Sequence, residues 1–193
     1  MSYNTTAWTT DGQTQTTGGT TLYTHFGANS EFTSNFTAGT HYAIPFLGFG
    51  GYAAEDSRFS LGTSTLPDTS KSFSVSGNLF ICKYWHIIDN ITIDKVVWWH
   101  AGDAATGEVT KANLVSYAVD TDNGATSGDL SGGTFVAAGA DITNAGYEQA
   151  YYQELTLVNA NIPSGRVLLF TFRSDTSVNS DYSINATVKY HLT

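Results

Sequence analysis

The sequence predicts an all-β chain: an antiparallel sandwich or jelly roll with an extended arm at its N-terminus. Three observations predict it. The first is composition: charged residues are only 13%, aromatics reach 13%, and Tyr 11, Phe 11 and Trp 4 stand beside many Thr and Ser. That mixture, poor in Lys and Glu, suits pleated, half-buried strands. The second is spacing, because short apolar runs recur between Gly, Asn, Asp and Pro turn signals. The third is the lack of any helical periodicity long enough for a βαβ unit, which excludes a doubly wound fold. A length of 193 residues fits one domain plus an arm.

The elements follow in order. Residues 1–24 are dense in Thr, Gly and Gln, with Tyr3, Ala7, Trp8, Leu22 and Tyr23 as the apolar exceptions. Ordering such an arm costs about 20–40 kcal/mol. Each large apolar side chain returns only about 1.5–3 kcal/mol on burial. The arm is therefore expected to order against a partner surface, with Tyr3, Trp8, Leu22 and Tyr23 as its contacts. Residues 25–193 form the single sandwich domain. Its first part, to about residue 78, is rich in Phe, Gly and Ser and reads as short strands and turns. Asp56–Leu61 and Lys71–Ser76 alternate polar with apolar residues, as half-buried strands do.

The clearest strands are expected over Leu79–Asp89, Ile91–Ala101, Glu108–Asp120, Gly133–Ala140, Tyr151–Asn159, Arg166–Arg173 and Ile184–Leu192. A brief helical turn is expected within Tyr147–Tyr151. Both faces of Leu79–Asp89 and of Arg166–Arg173 are largely apolar. An antiparallel sandwich normally leaves one face of each sheet wet. The surplus face must be covered by the arm, by long loops or by another subunit. With so little surface charge, an oligomer is the favoured reading. Its expected interface comprises Leu79, Ile81, Trp85, Ile87 and Trp99.

Several function classes are excluded. A formal charge of -9 leaves no broad basic footprint for nucleic acid. One cysteine, Cys82, rules out an internal disulfide framework and a Cys-based zinc cluster, and an apolar strand makes its thiol inert. The first residues lack the basic and apolar regions of a secretory signal, and apolar runs fall short of a membrane span. Synthesis in a cytoplasm is expected, with no membrane partner. No nucleophile elbow, phosphate loop or dinucleotide fingerprint occurs.

Weaker motifs have simpler readings. His86 and His100 could meet across neighbouring strands, but a metal needs a third ligand from Asp89, Asp94 or His191, and nothing selects one. Asp120-Thr121-Asp122-Asn123-Gly124 opens like a calcium loop, yet Gly124 sits where a ligand belongs and Ser131 stands at position twelve. It reads as a turn. Glu148 with Glu154, or Asp175 with Asp181, could form a glycosidase pair, but spacing does not put either at a cleft. In Trp98-Trp99-His100, successive side chains point to opposite faces, so one Trp is expected in the core and the other at an interface or ligand. No catalytic residue, metal or cofactor is expected.

Residues Asn161–Asp175 leading into Ile184–Leu192, with Ile91–Val97 and Val115–Tyr117, resemble the C-terminal part of small virion structural proteins of tailed bacteriophages. The resemblance covers roughly residues 79–193 and rests on strand patterns. It implies a jelly roll similar to trimeric C1q/TNF-like heads, and a role as capsid decoration (cement) protein, head fibre or tail-fibre knob. The implied partners are a second and third copy of the chain and the major capsid protein or another virion protein, and the implied location is the virion. The alternative is a tail-fibre or carbohydrate-binding jelly-roll module that recognises a receptor.

Overall fold

The computed structural model describes residues 20–29, 33, 36–47, 59–72, 83–102, 104–120, 129–176 and 182–193. Within them the chain is all-β. The strands are β1 (Leu22–Ala28), β2 (Tyr42–Ile44), β3 (Tyr84–His86), β4 (Ile91–Gly102), β5 (Val109–Val119) and β6 (Leu130–Ala138). They continue with β7 (Ile142–Thr143), β8 (Gln149–Glu154), β9 (Thr156–Leu157), β10 (Asn161–Ile162), β11 (Arg166–Ser174) and β12 (Tyr182–Leu192).

Two antiparallel sheets result. In the first, β1 pairs β12, β12 pairs β4, and β4 pairs both β8 and β10. In the second, β2 and β3 pair β11 one after the other, then β5, β6 and β9 follow. The inner faces enclose one core. Trp98, Phe26, Phe170, Phe172, Leu114, Leu168 and Val188 are each 0% exposed within it. Each such side chain contributes about 1.5–3 kcal/mol by leaving water.

The two sheets differ on their outer faces, and sequence patterning explains how. Strand β12 alternates buried and open positions along Tyr182–Val188, as a strand with one wet face must. Strand β4 does the same with one interruption. Ile93 and Val96, three apart, both turn inward, because the register against β12 shifts between Lys189 and Tyr190 and sends Asp94 and Lys95 outward together. That is a β-bulge. Strands β5 and β11, by contrast, are buried on both faces.

The second face of β5 and β11 is covered by the chain itself. Residues 59–72 cross it from the β2 edge to the β6 edge. Ala43 N donates to Phe59 O at 2.9 Å and Leu61 N to His41 O at 2.7 Å. At the far side Lys71 and Leu130 exchange backbone bonds, both 2.8 Å. Phe59 and Leu61 thereby pack on Val115, Tyr117, Val167 and Leu169 in a second apolar cluster. Of the three ways to cover the surplus apolar face, the chain uses a long loop here.

Other expectations are corrected in detail. Within the described residues the strand expected over Leu79–Asp89 is only Tyr84–His86; Leu79, Ile81 and Cys82 lie outside them. The strand expected over Tyr151–Asn159 breaks at Leu155, which is 3% exposed, so β8 joins the first sheet and β9 the second. Tyr147 and Glu148 form a turn, not a helical one, and Glu148 carries φ 55. The sheet begins at Leu22, so Leu22, Tyr23 and Thr24 belong to the sandwich. Tyr3, Trp8 and the rest of 1–19 lie outside the described residues, as do 121–128 of the expected calcium-like turn.

Candidate functional site

Among the described residues, the outer face of the first sheet is left open, with Tyr23, Trp99 and Tyr152 exposed on it. Its residues come from four strands in register. One row runs Gly27, Asn185, Trp99 and Tyr152 across β1, β12, β4 and β8. Trp99 is 53% exposed and Tyr152 50% exposed, with ring centroids 5.1 Å apart at 60°. Leu47, also exposed, folds over the β1 end of this row. A side chain at Gly27 would lie 2.9 Å from the Leu47 Cδ1 and 3.3 Å from the Ile184 carbonyl, so glycine lets Leu47 lie close on the strand there.

Adjacent rows are polar. His25 Nδ1 lies 3.0 Å from Thr187 Oγ1, next to Val97 and Glu154. Lys95 Nζ and Glu154 Oε2 are 2.6 Å apart, and that bond holds the ammonium pKa above its usual value. His191 Nδ1 and Asp94 Oδ1 are 2.9 Å apart at the bulge. Lys189 stands opposite Lys95, and Tyr23, 61% exposed, stands opposite Lys189. The face therefore carries two lysines and two carboxylates in a chain of net charge -9. It is an aromatic band with a charge-balanced border.

The expected site residues fall out as follows. Trp98 is fully buried and donates its indole N–H to Gln153 Oε1 at 3.2 Å, while Trp99 faces outward. Ile87 is 1% exposed and belongs to the core, so it has no surface to offer. Trp85 is half-buried, stacked on Phe46 with ring centroids 6.1 Å apart and inclined at 61° to Tyr190 with centroids 4.7 Å apart. Leu22 is half-buried at the sheet edge. Tyr152, the partner of Trp99, was not legible in the sequence, because the β4 to β8 register joins residues 53 apart (152 minus 99).

Among the described residues, the titratable groups singled out in the sequence do not converge, and Asp181 lies outside them. His86 is exposed on β3 in the second sheet, while His100 is buried at the far end of β4 in the first. Among the described residues no three His, Cys, Asp or Glu side chains form a metal-binding group. Glu154 is taken by Lys95, and Asp175 Oδ1 accepts the Val109 N–H at 2.7 Å.

A buried polar cluster joins the sheets at the end where β4 finishes. Glu108 Oε1 accepts hydrogen bonds from Ser174 Oγ, at 2.5 Å, and from Tyr182 OH. His100 lies between the rings of Trp98 and Tyr151, at 4.5 and 5.2 Å, with Nε2 3.2 Å from Thr110 Oγ1. Burial lowers its pKa to about 4, against a smaller raising effect from Glu108. Asn144 donates to Ala104 O at 2.6 Å and accepts from Tyr151 OH at 3.0 Å. These groups bind one another inside the fold, so their chemistry is cross-linking of strand ends.

Comparison with protein-family models and with curated protein sequences finds no match.

Proposed function

We propose that this chain is a structural protein of a bacteriophage virion, a homotrimeric decoration (cement) protein whose body is a jelly roll. The observation that carries the reading is the strand order. Take β1, β3 with β2, β4, β5, β6, β8, β11 and β12 as strands one to eight. The sheets then run 1-8-3-6 and 2-7-4-5, and each strand pairs with its complement: β1 with β12, β3 with β11, β4 with β8, β5 with β6. A long antiparallel ribbon rolled into two layers produces that order, and jelly rolls are built so. The strand patterns that resemble phage virion proteins lie on these same strands.

Trimer formation uses the open face of the first sheet. The second sheet has its outer face occupied by residues 59–72, so the aromatic band around Trp99 and Tyr152 is the surface that a subunit covers. Aromatic side chains are the usual anchors of such contacts. The face is also charge-balanced, so copies meet there without the repulsion that the rest of the chain would supply. The segment before the sandwich supplies an anchor on the capsid, through Tyr3 and Trp8. No catalytic step, metal or cofactor enters this reading.

Stoichiometric recovery with purified virions, counted by quantitative mass spectrometry, tests the role. Copy numbers matching the capsid lattice support decoration, and absence from virions rejects it. Light scattering after size exclusion tests the assembly. A trimer that Trp99→Ala converts to monomer supports the interface; a folded wild-type monomer that ignores dilution at micromolar concentration overturns it. Removal of residues 1–19 should leave the trimer intact and abolish capsid binding. The Trp99–Tyr152 pair also favours a second reading, a sugar-stacking platform on a receptor-binding module. Saturable binding on a glycan array, lost in Trp99→Ala, would select it.

A further inference from the structure

The strongest unassigned feature lies at the other end of the sandwich from Glu108. There the β3–β4 turn and the end of β12 enclose an open pocket of about 240 Å³. Trp85 and Tyr190 form aromatic walls, Ile87 and Ile91 line the apolar depth, and Ile88 and Leu192 stand at the rim. Ile88 is 76% exposed and Leu192 52% exposed, so the rim offers apolar surface to whatever enters. His86 and Asp89 complete the lining.

The pocket is preformed. Ile87 N donates to Arg166 O at 2.8 Å and Gly165 N to Ile87 O at 2.7 Å. Ser164 N donates to Asn90 Oδ1 at 2.9 Å, and Thr193 N to Asn90 O at 3.1 Å. The turn is thus tied to the β10–β11 turn and to the last residue of the chain. Little ordering remains to be done on binding. The polar groups of the lining are also uncommitted. Among the described residues, no hydrogen bond or ion pair is made by the side chains of Trp85, His86, Asp89 or Tyr190. An apolar pocket with a few convergent polar groups is the usual form of a ligand site.

Charge selects the class of ligand. Asp89 is a carboxylate at the mouth of an apolar slot, in a chain of net charge -9. Aromatic walls attract cations, and Asp89 supplies a counter-charge. The geometry points to an arginine or lysine side chain of a protein partner as the occupant, its aliphatic stem against Ile88 and Leu192 and its cation against Asp89 and the aromatic walls. That the partner is the capsid lattice rests on the virion reading above; the chemistry of the pocket does not.

The probe is n-butylguanidinium chloride, which copies the arginine side chain, titrated into the full chain. The readout is the Trp85 indole N–H signal in NMR, assigned by its loss in Trp85→Phe. The expected result is a saturable shift with millimolar affinity, at least tenfold tighter than for the neutral 1-pentanol or the anionic pentanoate. Asp89→Asn should reduce guanidinium binding to the level of the alcohol. No saturable shift, equal binding of the alcohol, or indifference to Asp89→Asn overturns the proposal. For the partner, Asp89→Lys in the assembled protein should lower capsid occupancy at least tenfold with the trimer unchanged. Guanidinium binding with unchanged occupancy would reject the capsid as the partner and leave the virion reading itself standing.

Discussion

Trp98 and Trp99 are adjacent in sequence and face opposite environments. Trp98 packs on Phe170 and Phe172 between the sheets, and Trp99 meets Tyr152 on the outer face. Trp98→Ala should cost about 3–5 kcal/mol by lost transfer energy and a residual cavity. Trp99→Ala should change the stability of the fold by no more than about 0.5 kcal/mol while dissociating the proposed trimer. Urea unfolding beside light scattering separates the two. His41 and His100 carry a second prediction. Burial lowers each pKa from 6.5 to about 4, and Arg173 and Lys111 add to the lowering at His41. Between those values the unfolded chain takes up protons that the folded chain refuses. Their stabilising contribution is thus complete above pH 6.5 and is lost as pH falls toward 4. The urea midpoint should fall between pH 7 and pH 4.5, with a pH slope up to two protons steeper than in the His41→Gln/His100→Gln variant.

At the scale of elements, the crossing segment 59–72 decides which sheet stays open. Its close approach depends on two glycines. Gly62 has φ +87, and a side chain there would sit 2.3 Å from Asp68 Oδ1. Gly133 lets the segment touch β6: a Cβ would lie 2.7 Å from Thr69 Cα and 2.8 Å from the Tyr117 ring. Tyr117 OH donates to Asp68 O at 2.6 Å in the same contact, and burial raises its pKa well above the phenol's usual value. Gly133→Ala should cost about 1–3 kcal/mol, because backbone and a buried ring must move. It should also raise hydrogen exchange at the Gly133 and Lys71 amides, which donate to Thr69 O and Leu130 O. Unchanged exchange there would mean that the segment is held by something other than this contact.

For the whole molecule, charge and assembly are linked. A chain of net charge -9 repels its copies, while the proposed contact face carries Lys95, Lys189, Asp94 and Glu154 in balance. Raising ionic strength shortens the screening length from about 30 Å at 0.01 M to about 8 Å at 0.15 M. Long-range repulsion fades first, so the proposed trimer should tighten with salt over that interval in sedimentation equilibrium. Weakening with salt would mean that opposite charges, not aromatic burial, hold the subunits together.

The sequence by itself determined what local chemistry can encode. The positions of β4, β5, β11 and β12 were readable, because alternation and turn residues act over a few neighbours; β11 ends one residue past its expected limit and β4 likewise, whereas the stretch expected over Tyr151–Asn159 is divided between two sheets. The division of Trp98 and Trp99 between core and surface was readable for the same reason. Only the tertiary structure decided which strands pair and what covers each face. A doubly apolar strand looks the same whether a subunit or its own chain lies on it. Here residues 59–72 bury Leu169 and Val115, and that contact spans over a hundred residues at Leu169. Trp99 likewise gained its partner Tyr152 from the register of β4 on β8, and Trp85 its pocket beside Tyr190 from the packing of one sheet on the other. Such pairings are fixed by the summed burial of the whole core, which no short window of sequence contains.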